Sequence, residues 1–164
     1  MEKHGIRSKV KKKYRVTTDS SHRYGIAKNL LQRDFSEDSL SQKWVGDITY
    51  IYTSKVWLYL TTIIDLGDRK VIGWSLGTDM TATNTSVEAI RMAIRSRGVK
   101  DGLIFHSDRG VQYACDEFRK VIAENNICQS MSRKANCWDN AVAESIFKTL
   151  KAEMVYHRKF FDQQ

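Results

Sequence analysis

Between Trp44 and Thr78 the chain runs through three segments whose side chains suit a sheet far better than a helix. WVGDITYIYT at 44–53 is β-branched and aromatic, VWLYLTTIIDL at 56–66 follows Ser54-Lys55, and KVIGWSLGT at 70–78 follows Gly67-Asp68. Two such short connections leave an antiparallel meander as the economical arrangement. The middle segment is nearly continuous in apolar residues, as expected of a strand covered on both faces. This requirement constrains the rest of the chain, which must supply helices for both sides of a sheet.

The remaining sequence does so. Thr85-Ser86-Val87-Glu88 fits a capping box, with Thr85 as N-cap and Glu88 at the third helical position. Val87, Ile90 and Ile94 then recur at helical spacing beside Ala89 and Ala93, and Gly98 ends the run. GLIFHSD reads as a short buried strand, 115–125 as a helix and ICQSMS as a last strand. RKANCWDN is a polar loop, and AVAESIFKTLKAEMV is an amphipathic helix. A short helix is also expected around Ile26 to Leu31. The order β-β-β-α-β-α-β-α predicts an α/β fold, a mixed five-stranded sheet flanked by helices. A ribonuclease-H-like architecture has this order, though other α/β layouts share it.

With 164 residues, one domain suffices. No apolar stretch approaches the ~20 residues of a membrane span, and the basic N-terminus has no apolar segment behind it. A cytoplasmic protein with no membrane partner is the simplest expectation. Cys115, Cys128 and Cys137 lie apart with no CxxC or His/Cys ligand spacing, which argues against zinc. The net charge of +8 resides in residues 1–33, where ten Lys/Arg face two acids, whereas residues 34–164 balance. Residues 1–37 are therefore expected to be a basic arm or linker ahead of a core at 38–164. Such an arm suits DNA or RNA as partner, or serves only as a solvated tail.

Three acids stand out from the others. Asp47 lies inside a strand, where a charge normally faces solvent. Asp108 lies just past LIFHS, at the strand end where open α/β sheets place ligands. Glu144 lies early in the last helix. If the first and fourth strands are neighbours, Asp47 and Asp108 approach one another, and such a pair either retains a proton or accepts a cation. An oxygen-only trio suits Mg²⁺ or Mn²⁺. Lys148 and Lys151 share the helix face of Glu144, where a DNA backbone can lie, while Ala143, Phe147, Leu150 and Met154 form the apolar face. Taken alone, Glu144 and Lys148 are an ordinary solvated pair worth ~0.3–0.5 kcal/mol.

Three blocks carry a family resemblance: W-x-x-D-I-T-Y-I at 44–51, H-S-D-R-G-x-Q-Y at 106–113 and S-R-K-x-N-C-W-D-N-A-x-x-E-S at 132–145. Thirty-five residues separate Asp108 from Glu144. The sequence resembles, over about 14–164, the insertion-sequence transposases with a retroviral-integrase-type catalytic core, whose D,D,E spacing this is. The resemblance implies a ribonuclease-H-like fold and two Mg²⁺ or Mn²⁺ ions on Asp47, Asp108 and Glu144. It implies DNA cleavage and strand transfer at element ends, by a homo-oligomer in the active complex. It also implies DNA contacts from Lys148 and Lys151 and, in the third block, from Arg133, Lys134 and Asn136. Gln112 and Tyr113 are expected to line the DNA channel. Trp138, Asp139 and Asn140 are expected to shape the helix start that places Glu144, with Asp139 or Asn140 as its cap. Ala135 stands where the family commonly has glycine, which implies a stiffer or differently shaped loop. Relative to the family pattern the core is expected to be C-terminally truncated and to lack a complete upstream helix-turn-helix. Two other functions remain open: a catalytically idle DNA-binding regulator of transposition, and a ribonuclease H. His106, two residues before Asp108, is expected to be a structural hydrogen-bonding group rather than a proton shuttle.

Overall fold

A computed structural model describes residues 22–37, 39–134 and 137–157, the side chain of residue 137 excepted. The three expected strands are β1 (Lys43–Tyr52), β2 (Trp57–Asp65) and β3 (Val71–Gly77). A π-helical turn (Thr83–Val87) leads into α1 (Glu88–Arg97), followed by β4 (Ile104–Ser107). Then come α2 (Val111–Ala114), α3 (Asp116–Glu124) and β5 (Cys128–Met131). A 3₁₀ turn (Cys137–Asn140) opens α4 (Ala141–Leu150), which runs on as a π-helical turn at Lys151–Val155.

The sheet order is β3-β2-β1-β4-β5, a mixed five-stranded sheet. The first three strands form the antiparallel meander, with Val45 opposite Ile64 and Thr62 opposite Trp74. β4 joins β1 in parallel, with Val45 opposite His106, and β5 joins β4 in parallel. Alternation along β1 sends neighbours to opposite faces. Trp44 packs with Phe105, Tyr113, Phe118 and Ile90 under α1 and α3. Val45 packs with Ile64, Leu66, Leu31 and Ala143 under α4. Among the described residues no helix is long and apolar enough to cross a membrane.

Three local expectations need correction. The capping box does not form: the Thr85 hydroxyl is buried and donates to the Thr81 carbonyl at 2.6 Å, because helical winding already starts at Thr83. The segment around Ile26 to Leu31 is not helical. Its Leu30 and Leu31 amides donate instead to the Ser130 hydroxyl at 2.9 and 3.4 Å, so the edge of β5 satisfies them. Leu31 is a core residue, which means that the expected boundary at 37 falls inside packed structure. Lys9 and Lys11 to Lys13 of the expected basic arm lie outside the described residues.

Gly73 marks the closest approach of sheet and helix. A Cβ there would fall 2.2 Å from the Ala89 carbonyl oxygen and 2.8 Å from the Ala93 nitrogen, both backbone atoms of α1. Neither can swing aside as a side-chain tip would. Gly73→Ala is expected to destabilise the protein by about 3 kcal/mol, the upper part of the range for overpacking. Urea unfolding would read this as a lower midpoint with an unchanged slope; a midpoint within error of wild type would contradict it.

Candidate active site

The site forms where β1 outruns its neighbour. β4 pairs with β1 only as far as Val45 opposite His106, and continuing that register sets Asp47 beside Asp108. Asp108 leaves β4 and turns into α2, its Oδ1 accepting the Gly110 amide at 2.9 Å. Asp47 Oδ1 accepts the Ile48 amide at 2.9 Å. Glu144 comes from the first turn of α4, which packs on β1. All three carboxylates are half-buried.

Their charges bear on one another. Burial pushes the Asp47 carboxyl well above its ordinary range, and the negative charges of Asp108 and Glu144 push it further; the Ile48 amide and Lys151 oppose this. Lys151, from the turn that continues α4, lies with Nζ 5.1 Å from the centre of the Tyr50 ring. Its own ammonium is disfavoured by burial and supported by Asp47. Tyr113 is buried close enough to both aspartates to feel their charge. Burial raises its phenol well above the ordinary value, Asp47 and Asp108 add to this, and its hydroxyl has no hydrogen-bond partner.

In residue type the trio fits a hard divalent cation: oxygen donors only, mutually repelling, with a buried orphan hydroxyl close by. Among the described residues, no three His, Cys, Asp or Glu side chains are already drawn together as a metal cage. Asp47 feels the charges of Asp108 and Glu144 where β1 runs past the end of β4, without the three closing into such a cage.

The other expected contacts divide. Lys148 and Lys134 are exposed and Lys151 is half-buried. Arg133 is half exposed, but its guanidinium is engaged with Asp139 through Nη2 and Nε at 2.8 and 2.9 Å. Asn136 and Ala135 lie outside the described residues. The DNA-channel expectation for Gln112 and Tyr113 needs correction, because both are interior. Gln112 Nε2 donates to the Met80 carbonyl at 3.1 Å, and the Tyr113 ring stacks edge-on with Phe118. Both belong to α2, whose buried face was not evident from so short a helix. Neither Asp139 nor Asn140 caps α4 through its side chain. His106 is buried, its Nδ1 within 2.8 Å of the Ser130 hydroxyl. Burial holds it neutral, with a pKa down at about 4 despite the pull of Asp139. That is the expected structural role.

Asp65 and Asp68 serve turns. Asp65 is fully buried and accepts the Ser41 and Gly67 amides at 2.9 and 3.0 Å, while Asp68 accepts the Lys70 amide and pairs with Arg97. What the sequence did not signal is the size of the network on Asp139: two arginines and an asparagine meet its carboxylate, two of them over 100 residues away in sequence.

A mixed β3-β2-β1-β4-β5 sheet with helices on both faces, one acid inside β1 and a second just past the end of the parallel strand β4, is a ribonuclease-H-like core of the integrase type. The chain belongs to the integrase core domain family, whose pattern it matches over residues 39–137. That match includes Asp47 and Asp108 and stops before Glu144. It is 38% identical, over its whole length, to the transposase InsF of insertion sequence IS3A from Escherichia coli (strain K12). It is 42% identical over 155 residues to an uncharacterised 31 kDa protein of insertion element IS600 from Shigella sonnei. The chain spans 57% of the length of each of these relatives. Among solved structures, a chain of the simian T-cell lymphotropic virus intasome superposes with a TM-score of 0.67 at 18% identity, covering 82% of this chain and 46% of that one. The HTLV-2 integrase catalytic core domain in complex with magnesium gives 0.57 at 20% identity, covering 69% of each chain. At these identities the likeness shows the fold.

Proposed function

We propose that this chain is the catalytic core of a DNA transposase, a polynucleotidyl transferase that cuts and joins DNA strands with Asp47, Asp108 and Glu144 as ligands for Mg²⁺ or Mn²⁺. The observation that carries this reading is the parallel register of β1 and β4, which sets Asp47 beside Asp108, with Glu144 on α4 packed against β1 and its charge bearing on Asp47. Mutual repulsion inside a partly buried site is a standing cost that a divalent cation relieves. When bound, a pair of such ions would activate the attacking oxygen and stabilise the leaving one. The chain's own residues do the rest. Lys151 offsets the charge of Asp47 and, with the exposed Lys148, offers ammonium groups to phosphates beside the acids. The aliphatic packing of α4 on β1 holds Glu144 against the strand that carries Asp47.

DNA is the proposed substrate because the likeness along this chain is to transposases of insertion sequences, and the magnesium in the HTLV-2 core supports the same ion here. The dimeric and trimeric forms of that core support a homo-oligomeric active complex. The test is to incubate the purified chain with Mg²⁺ or Mn²⁺ and labelled duplex DNA, or an RNA–DNA hybrid. Metal-dependent nicking of DNA is expected. Cutting confined to the RNA of the hybrid would point to a ribonuclease H. DNA binding with no cutting in either metal would point to an idle regulator.

A further inference from the structure

The Asp139 carboxylate is fully buried and accepts five hydrogen bonds. Arg133 supplies three, from its amide at 2.9 Å, Nε at 2.9 Å and Nη2 at 2.8 Å. Asn29 Nδ2 adds one at 3.0 Å and Arg33 Nε another at 2.8 Å. The next residue, Asn140, directly precedes α4, and its Nδ2 lies 3.5 Å from the carbonyl oxygen of Gly46, the neighbour of Asp47. Glu144 follows within one helical turn. The place where Asp139 is held therefore sets the start of the helix that carries Glu144, against the strand that carries Asp47.

Two of the residues holding it come from ahead of the sheet. Their segment is seated on β5 by the Leu30 and Leu31 amides on the Ser130 hydroxyl, and in the core by Leu31. At its end Gln32 and Arg33 both take left-handed backbone conformations, with φ of 47° and 67°. Two consecutive non-glycine residues there are uncommon, and such strain persists where surrounding contacts over-determine it. The Gln32 amide on Asn29 Oδ1 at 2.8 Å closes this turn, and the turn delivers Arg33 to Asp139.

We propose that Asn29, Arg33 and Asp139 form a positioning clasp, through which the segment preceding the sheet sets Glu144 relative to Asp47 and so governs metal uptake by the acidic site. This rests on the proposed function. Arg33 is the informative residue to change, since Asp139 stays paired with Arg133 when Arg33 is removed.

The experiment compares the full chain, Arg33→Ala, Arg33→Lys and Asp108→Asn, with folding checked by circular dichroism. Two quantities are read: the rise in melting temperature on adding Mn²⁺ alone, and the Mn²⁺ concentration for half-maximal nicking of duplex DNA. Partners of ligand-bearing elements typically change metal affinity or activity by about 10–100-fold. Arg33→Ala is expected to stay folded while needing about tenfold more Mn²⁺ for both effects. Arg33→Lys, which keeps the charge without the planar donor, is expected to recover part of the loss. Wild-type Mn²⁺ dependence in folded Arg33→Ala, whatever its metal-free melting temperature, would overturn the clasp and leave Arg33 a stabilising residue only. Equal Mn²⁺ shifts in wild type and Asp108→Asn would overturn the acidic site itself.

Discussion

Asp108→Asn is expected to lower metal-dependent strand cleavage by about 10³-fold while raising the melting temperature of the metal-free protein. The first effect corresponds to about 4 kcal/mol of lost transition-state stabilisation, the scale on which charge at such a site acts. The second follows from the sign of the coupling. Asp47 is pushed up in the folded state by burial and then by Asp108, so ionising it at neutral pH costs folded-state stability. That cost is absent below the unfolded carboxyl value near pH 4 and grows as pH rises through the raised folded value. Asparagine removes the charge but keeps an Oδ1 acceptor for the Gly110 amide, so the turn into α2 survives. A gain of about 2–5 °C is expected at neutral pH and little at pH 4. Mg²⁺ should raise the melting temperature of wild type and not of the variant. A variant as active as wild type would remove Asp108 from the chemistry. One with the metal-free melting temperature of wild type at both pH values would show that the acids do not repel.

Asp139→Ala is expected to cost about 3 kcal/mol of stability, near the lower end for breaking a buried ion pair from one side. The lower end applies because Arg33 and Arg133 are 45% and 54% exposed and regain water once the carboxylate is gone. What water cannot restore is the set of fixed donors, including the Arg133 and Asn29 nitrogens. The pH dependence gives a second measurement. Hydrogen bonds from Arg133 hold the Asp139 carboxyl well below the usual range, despite burial. A depressed folded value contributes stability that is fully present above the unfolded value near 4 and is lost as pH falls below it. The gap between wild type and Asp139→Ala in urea unfolding should therefore be constant from neutral pH to about 4.5 and shrink below 4. A gap that stays constant into strong acid would mean that Asp139 acts by packing and not by charge.

Much of this architecture was legible before any coordinates. The meander announced itself through side chains suited to strands and through Ser54-Lys55 and Gly67-Asp68 between them, signals that act over two to four residues. An aspartate inside the β1 run and another just past β4 were anomalies of the same local kind, and the parallel pairing of β1 with β4 brings them together as expected. Local signals also misled. Thr85 and Glu88 have capping-box spacing, yet the helix winds from Thr83 because Ser86 and Thr85 are drawn into the interior, where the Ser86 hydroxyl reaches the Gln112 carbonyl at 2.5 Å. Gln112 and Tyr113 follow a catalytic-type motif, but the four-residue α2 turns both inward, and the ring of Tyr113 is needed beside Phe105 and Phe118.

The sequence by itself determined the strands and the helices on either face and marked Asp47 and Asp108 as exceptions, because each rests on a periodicity or a break in it within a few neighbouring residues; Glu144 stood out only through the family resemblance and its spacing from Asp108. Only the tertiary structure decided how those acids are held. Asn29 and Arg33 reach Asp139 across 110 and 106 residues, and the Leu30 and Leu31 amides reach Ser130 across 100 and 99. A side-chain hydrogen bond between distant segments imposes no spacing on either one. An arginine in a basic stretch reads as a solvated charge until folding brings a buried carboxylate within 3 Å of it.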